Sequence, residues 1–379
     1  MPLWDIVLNM PTLDLAMPTA LFVVVLVALF LNKRAEGKLM ATVEQKEFKT
    51  RDVVLLIVFL AIIISVIAYT TMINPGEVFS NVLMVFFLSS YTTLLFTFSY
   101  VFSNLRKQRA QLLSVGFGIA SLIAGLVSLI GPFADAYTLI RAGAFFALTV
   151  GCFAVVVFEQ KKAVFKERWY IAAQPPALFV LLFVFFNVIY AGSAFVWFPF
   201  LLDVFAFTFA ILIIMYLSSM FSWKTVGIFA ALLTVMDVIL VFSGPMVAAA
   251  QTFTGLGLPV LVYLPNLPIL LTESGSIAFR GLGLGDFFFA GILAVQTYKK
   301  FGKKAGIIST VAMALAFGIW EAFLPEITAF FNIGGFPATV CIISGWLPIV
   351  GYYMLTHRKS AQPLSEQITI QPDNSALIE

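Results

Sequence analysis

Charge is scarce in this chain. Of its 379 residues only 11% are Asp, Glu, Lys or Arg, too few to cover the surface of a water-soluble fold of this length. Histidine is scarcer still. The single copy, His357, follows the last apolar run, which excludes a His-Glu-x-x-His zinc site and any serine hydrolase whose general base is an intramembrane histidine. Two cysteines, Cys152 and Cys341, both inside apolar runs, exclude a disulfide framework and read as packing residues. The net charge of +3 is small and spread over loops, so no nucleic-acid partner is implied.

What is abundant is hydrocarbon: 61% of the residues are hydrophobic, in runs of about 20, the length a helix needs to cross roughly 30 Å of bilayer. The expected fold class is an all-α polytopic membrane protein with about eleven transmembrane helices, at 13–31, 53–72, 80–103, 111–131, 137–158, 176–196, 198–219, 224–243, 282–298, 305–324 and 336–356. One helix over 176–219 would be about 66 Å long, so it must break, and Trp197-Phe198-Pro199-Phe200 offers the place.

The basic residues test this partition. Twenty of the 22 fall in every second loop or the tail: Lys33 to Arg51, Arg106 to Arg109, Lys161 to Arg168, Lys224, Lys299 to Lys304, and Arg358 with Lys359. Arg141 and Arg280 are the exceptions. By the positive-inside rule the N-terminus is expected outside and the C-terminus in the cytoplasm of a multi-pass cell-membrane protein. The first run is not a cleavable signal peptide, because its charges follow it. The polar tail after Lys359 is expected to be disordered.

Against this background two acidic residues stand out, Asp237 in Ala230-Ala-Leu-Leu-Thr-Val-Met-Asp237-Val-Ile-Leu-Val and Asp286 in Gly281-Leu-Gly-Leu-Gly-Asp286-Phe-Phe-Phe. A carboxylate in hydrocarbon costs several kcal/mol, which makes an intramembrane ionisable residue a functional candidate. Asp237 lies about 9 Å from the outer end of its span and Asp286 about 8 Å from the outer end of the next, at 1.5 Å per residue. Antiparallel neighbours would put the two side chains level. Such a pair can share one proton and act as acid and base together. The blander readings are a polar pair joining two helices, or an ion-binding site. Asp203 and Glu321, near outer span ends, read as solvated or capping, and Arg280 as an interfacial anchor. Gly281, Gly283 and Gly285 would let backbone approach the second carboxyl. At the same level Gly334-Gly-Phe-Pro337-Ala338-Thr339 opens the last span with proline and small residues, leaving backbone groups available.

In order and spacing these elements resemble the presenilin and signal-peptide-peptidase family of intramembrane aspartyl proteases, its archaeal members in particular. The family's Tyr-Asp, Gly-x-Gly-Asp and Pro-Ala-Leu correspond to Met236-Asp237, Gly283-Leu284-Gly285-Asp286 and Pro337-Ala338-Thr339. Methionine replaces the tyrosine and threonine the leucine. The resemblance covers roughly 80–356, taken as a nine-helix core after an N-terminal pair in 1–79 and before a tail from 357. It implies Asp237 and Asp286 as catalytic residues, and Met236, Gly283, Gly285, Pro337, Ala338 and Thr339 as substrate-binding. It implies no cofactor and no metal. The partners are membrane-embedded peptide substrates in the lipid bilayer, and the expected orientation favours type II spans or signal-peptide remnants. Between the aspartates, Pro259–Leu264 reads as a strand, which in this family is thought to pair with extended substrate; the alternative is a loop on the bilayer surface. Prepilin-type peptidases share Gly-x-Gly-Asp but not the Pro-Ala element. From other classes, an ion-coupled transporter also carries paired carboxylates and broken helices, and a catalytically weak homologue that holds membrane segments fits the two replacements.

Overall fold

The computed structural model describes residues 14–42, 47–72, 77–103, 105–130, 135–159, 169–189, 196–269, 277, 279–331 and 335–360. Gly334 and the tail beyond Ser360 lie outside them. Helices dominate: α1 (Ala16–Thr42), α2 (Thr50–Met72), α3 (Glu77–Val101), α4 (Lys107–Val127), α5 (Thr138–Phe158), α6 (Gln174–Leu182), α7 (Leu202–Ser218), α8 (Trp223–Phe242), α9 (Pro245–Gly255), α10 (Leu284–Phe301), α11 (Lys303–Ala322), α12 (Leu324–Phe331) and α13 (Ala338–Ser360). Among the described residues nine helical stretches are long and apolar enough to cross a membrane, so the chain is a multi-pass membrane protein. Each of the eleven expected spans has a helix at its centre. The two outside the nine are α1, whose apolar part is Ala16–Asn32, and α10, which carries Asp286, Lys299 and Lys300.

The break expected near Pro199 is present. Ahead of α7 the chain winds as a π-helical turn, Trp197–Leu201, in which Phe198 leaves helical geometry at φ −104°, ψ 131°. The ring of Trp197 is fully buried and its Nε1–H donates to the Gly257 carbonyl at 3.0 Å. A second π turn, Phe183–Val188, continues α6.

Helix α10 is the central stave. From Phe287 to Thr297 nearly every side chain is buried, so it is apolar all round and needs neighbours on every side. It packs against α1, α7, α8, α11 and α13. Small residues set the closest crossings. A Cβ on Gly345 would meet the Ala312 carbonyl oxygen at 2.4 Å, so α13 lies directly on the backbone of α11.

The packing does not divide at residue 79. Helix α1 lies against α7, α10 and α11, and α2 against α8 and α9. The peripheral unit is the hairpin α4–α5, whose contacts are mostly internal and otherwise with α6. It is held by small residues, Gly118, Ser121 and Gly125 on α4, and closed by Arg141. That guanidinium is fully buried; it pairs with Asp135 at 3.4 Å and donates to the Ser128 carbonyl at 3.2 Å.

The 244–280 connection holds more structure than one strand. After α9 come β1 (Leu261–Pro265) and β2 (Phe279–Gly283), paired antiparallel from Leu261↔Gly283 to Pro265↔Phe279. The strand expected at 259–264 is thus present, shifted toward its C-terminal end. Strand β2 and the helices α9 and α12 had no counterpart in the sequence reading.

Candidate active site

Three helices that are not consecutive bring the marked residues together. Helix α8 starts from a capping box, in which Ser222 and Thr225 satisfy each other's backbone N–H groups, and reaches Asp237 four turns later. Strand β2 runs without a break into α10, so Asp286 falls in that helix's first turn. Helix α13 begins at Ala338, immediately after buried Pro337. Helices α8, α10 and α13 all touch one another.

The Asp237 side chain is buried, and its Oδ2 accepts two hydrogen bonds from one residue: the Thr339 hydroxyl at 2.6 Å and the Thr339 backbone N–H at 3.4 Å. That N–H is one of the unpaired donors at a helix start. The Asp286 carboxyl accepts from the backbone N–H of Gly283, one half of a capping box. The two carboxyls lie within electrostatic reach of each other, and both act on Cys341, one turn into α13.

A Cβ on Gly283 would sit 3.2 Å from Asp286 Oδ2 and press that carboxyl aside by a few tenths of an ångström. The strand register explains why its N–H is free. Leu284 N–H donates to the Val260 carbonyl at 2.9 Å, so in an antiparallel ladder Leu282 and Arg280 also face β1. Gly281 and Gly283 turn their backbone groups the other way. Gly285 is exposed, with nothing within 4 Å of a Cβ position. Ala338 lines a cavity of about 450 Å³ together with Gly281, Leu282, Trp320, Glu321 and Cys341. Met236, by contrast, belongs to the main hydrophobic cluster.

Two acidic residues depart from the reading as solvated or capping groups. Asp203 is buried, and its Oδ1 accepts the Tyr263 backbone N–H at 2.7 Å, which pins β1 to α7; the Tyr263 hydroxyl is hydrogen-bonded to Thr254. Glu321 is buried and pairs with Arg280 Nη1 at 3.1 Å. Arg280 ties β2 to α11, and through a longer contact of 4.0 Å to Asp14, ahead of α1. Asp14 in turn accepts the backbone N–H groups of Ala16 and Leu267, each at 2.9 Å. The same cost of burying a carboxylate that marked Asp237 would have marked Asp203 and Glu321.

No family model, no curated protein and no solved structure matches this chain.

Proposed function

We propose that this protein is an intramembrane aspartyl endopeptidase, which hydrolyses peptide bonds within membrane-spanning segments by a two-aspartate, water-activating mechanism. One observation carries the reading: Asp237, Asp286 and the start of α13, separated widely in sequence, come together beside a cavity and a strand edge that has no partner among the described residues. A helix-joining polar pair accounts for the carboxyls but not for the edge.

The donors support a division of roles. Two donors from Thr339 converge on one oxygen of Asp237, against one backbone donor to Asp286. Hydrogen bonds to the charged form favour it, which supports Asp237 as the charged partner and Asp286 as the holder of the shared proton. The free oxygen of Asp237 takes a proton from water as that water attacks the scissile carbonyl carbon. Asp286 gives its proton to the carbonyl oxygen, forming a tetrahedral diol. On collapse the C–N bond breaks, Asp237 passes its proton to the leaving amine nitrogen, and a diol hydroxyl reprotonates Asp286. Substrate must be extended first, because a helical peptide bond is hydrogen-bonded and shielded. The outward backbone groups of Gly281 offer pairing for such a strand.

On this reading the eleven spans comprise a nine-helix core over 80–356 and the N-terminal pair in 1–79, whose α1 packs against the helix bearing Asp286. The charge distribution supports a cytoplasmic C-terminus in the cell membrane, and with it type II spans or signal-peptide remnants as substrates.

The test is incubation of the purified full chain, in liposomes, with several tagged type II membrane reporters, the products being mapped by mass. Paired fragments that meet inside the apolar span are expected. Intact reporters in the presence of folded protein would overturn the assignment and turn attention to ion-coupled transport.

A further inference from the structure

Beside the aspartates lies a charge cluster that the proposed chemistry does not use. Arg280 on β2 pairs with Glu321 of α11 at 3.1 Å and lies 4.0 Å from Asp14, so among the described residues of this cluster one cation faces two buried carboxyl groups. Glu321 engages Arg280 through Oε1 only. Its Oε2 is buried and, among the described residues, has no hydrogen-bond donor, as is also true of Asp14 Oδ2. A buried carboxylate oxygen left without a donor costs free energy that a partner would recover. Glu321 also lines the cavity of about 450 Å³, whose walls include Arg280, Gly281 and Leu282 of β2 and Ala338 and Cys341 of α13. Glu321, which carries the unpaired oxygen, is therefore one wall of the cavity that borders β2.

We infer that this cavity is a side-chain subsite that selects a basic residue, lysine or arginine, in the substrate, with Glu321 as the group that recognises it. The inference rests on the protease reading and deepens it. Cross-strand neighbours share a face of the sheet, and successive side chains on a strand alternate faces. A substrate residue opposite Arg280 or Leu282 thus has its side chain on their face. Arg280 holds Glu321 Oε1 in place and leaves Oε2 for the incoming ammonium or guanidinium, an ion pair formed out of bulk water and charge-assisted. Because the period of a strand is two, the selected position is a single one, or two separated by one residue.

The experiment is a scan. Lysine, methionine and glutamate are placed in turn at each position flanking the cleaved bond of one reporter, and kcat/KM is measured for wild type and Glu321→Gln. Wild type is expected to prefer lysine to methionine about tenfold at one position, or at two with one between, a gain of about 1.4 kcal/mol. Glu321→Gln should bring that ratio near one, whatever the change in its overall rate. The wild-type scan decides even if the variant does not fold. Equal rates for the three residues at every position, with cleavage intact, would overturn the subsite and leave the protease reading standing. A preference for glutamate would identify Arg280 as the reader and equally overturn it. No cleavage of any reporter would remove both.

Discussion

Thr339 is the sharpest point of attack on the proposed mechanism, because it stands where the resemblance has leucine. Its hydroxyl lies 2.6 Å from Asp237 Oδ2, and it is itself buried. Thr339→Val keeps the branched shape and removes that donor, leaving only the longer N–H contact of 3.4 Å. A hydrogen bond to a charged group is worth about 1.5–3 kcal/mol. If Asp237 is the ionised partner, the loss appears in the barrier, and at 1.36 kcal/mol per decade kcat falls about 10- to 150-fold. KM should stay within about threefold of wild type, since the hydroxyl points at the enzyme's own carboxyl. Thr339→Ser restores the donor and should recover most of the rate. The assay is reporter cleavage under saturating and subsaturating conditions, with thermal unfolding to show that each variant is folded. A valine variant with wild-type kcat, or one changed only in KM, would refute the assignment and return Thr339 to the substrate-shaping role that the sequence suggested.

Three further outcomes are expected. Asp203→Ala removes the acceptor that pins β1 at 2.7 Å and should reduce cleavage at least tenfold, whereas Asp203→Asn, which keeps a carbonyl oxygen, should lose less; full activity in Asp203→Ala would show that β1 needs no anchor. Gly345→Val forces a Cβ toward the Ala312 carbonyl and should lower stability by about 1–3 kcal/mol, as overpacking does, seen as a lower Tm. Arg280→Met alone leaves Glu321 buried without its cation and should destabilise more than the double replacement Arg280→Met with Glu321→Met, because an unpaired buried charge costs more than a removed pair; the reverse order in thermal unfolding would contradict the ion-pair account.

Much of this arrangement can be read from the chain because hydrocarbon is an unforgiving solvent. Apolar runs of membrane length place the helices, and a carboxylate inside one is conspicuous, so Asp237 and Asp286 stand out. Counting residues from the span ends puts them level without any coordinates. The two basic residues that break the charge alternation, Arg141 and Arg280, are both held in ion pairs, with Asp135 and Glu321. Each is neutralised where it lies, so neither obeys a rule about loop charge. Glu321 lies 41 residues from Arg280, and no local pattern joins them. Strand β2 was illegible for another reason: Phe-Arg-Gly-Leu-Gly is glycine-rich, and its strand geometry comes from pairing with β1. The central position of α1 was hidden too, since sequence order says nothing about which helix packs against which.

The central claim is that Asp237 and Asp286 form one catalytic unit. The measurement that tests it most directly is reporter cleavage by wild type, Asp237→Asn, Asp286→Asn and the double variant, each shown to unfold at the wild-type temperature. Groups that act as a unit are not additive, so each single variant should fall to the level of the double one, at background. A single variant that cleaves at the wild-type rate would contradict the account.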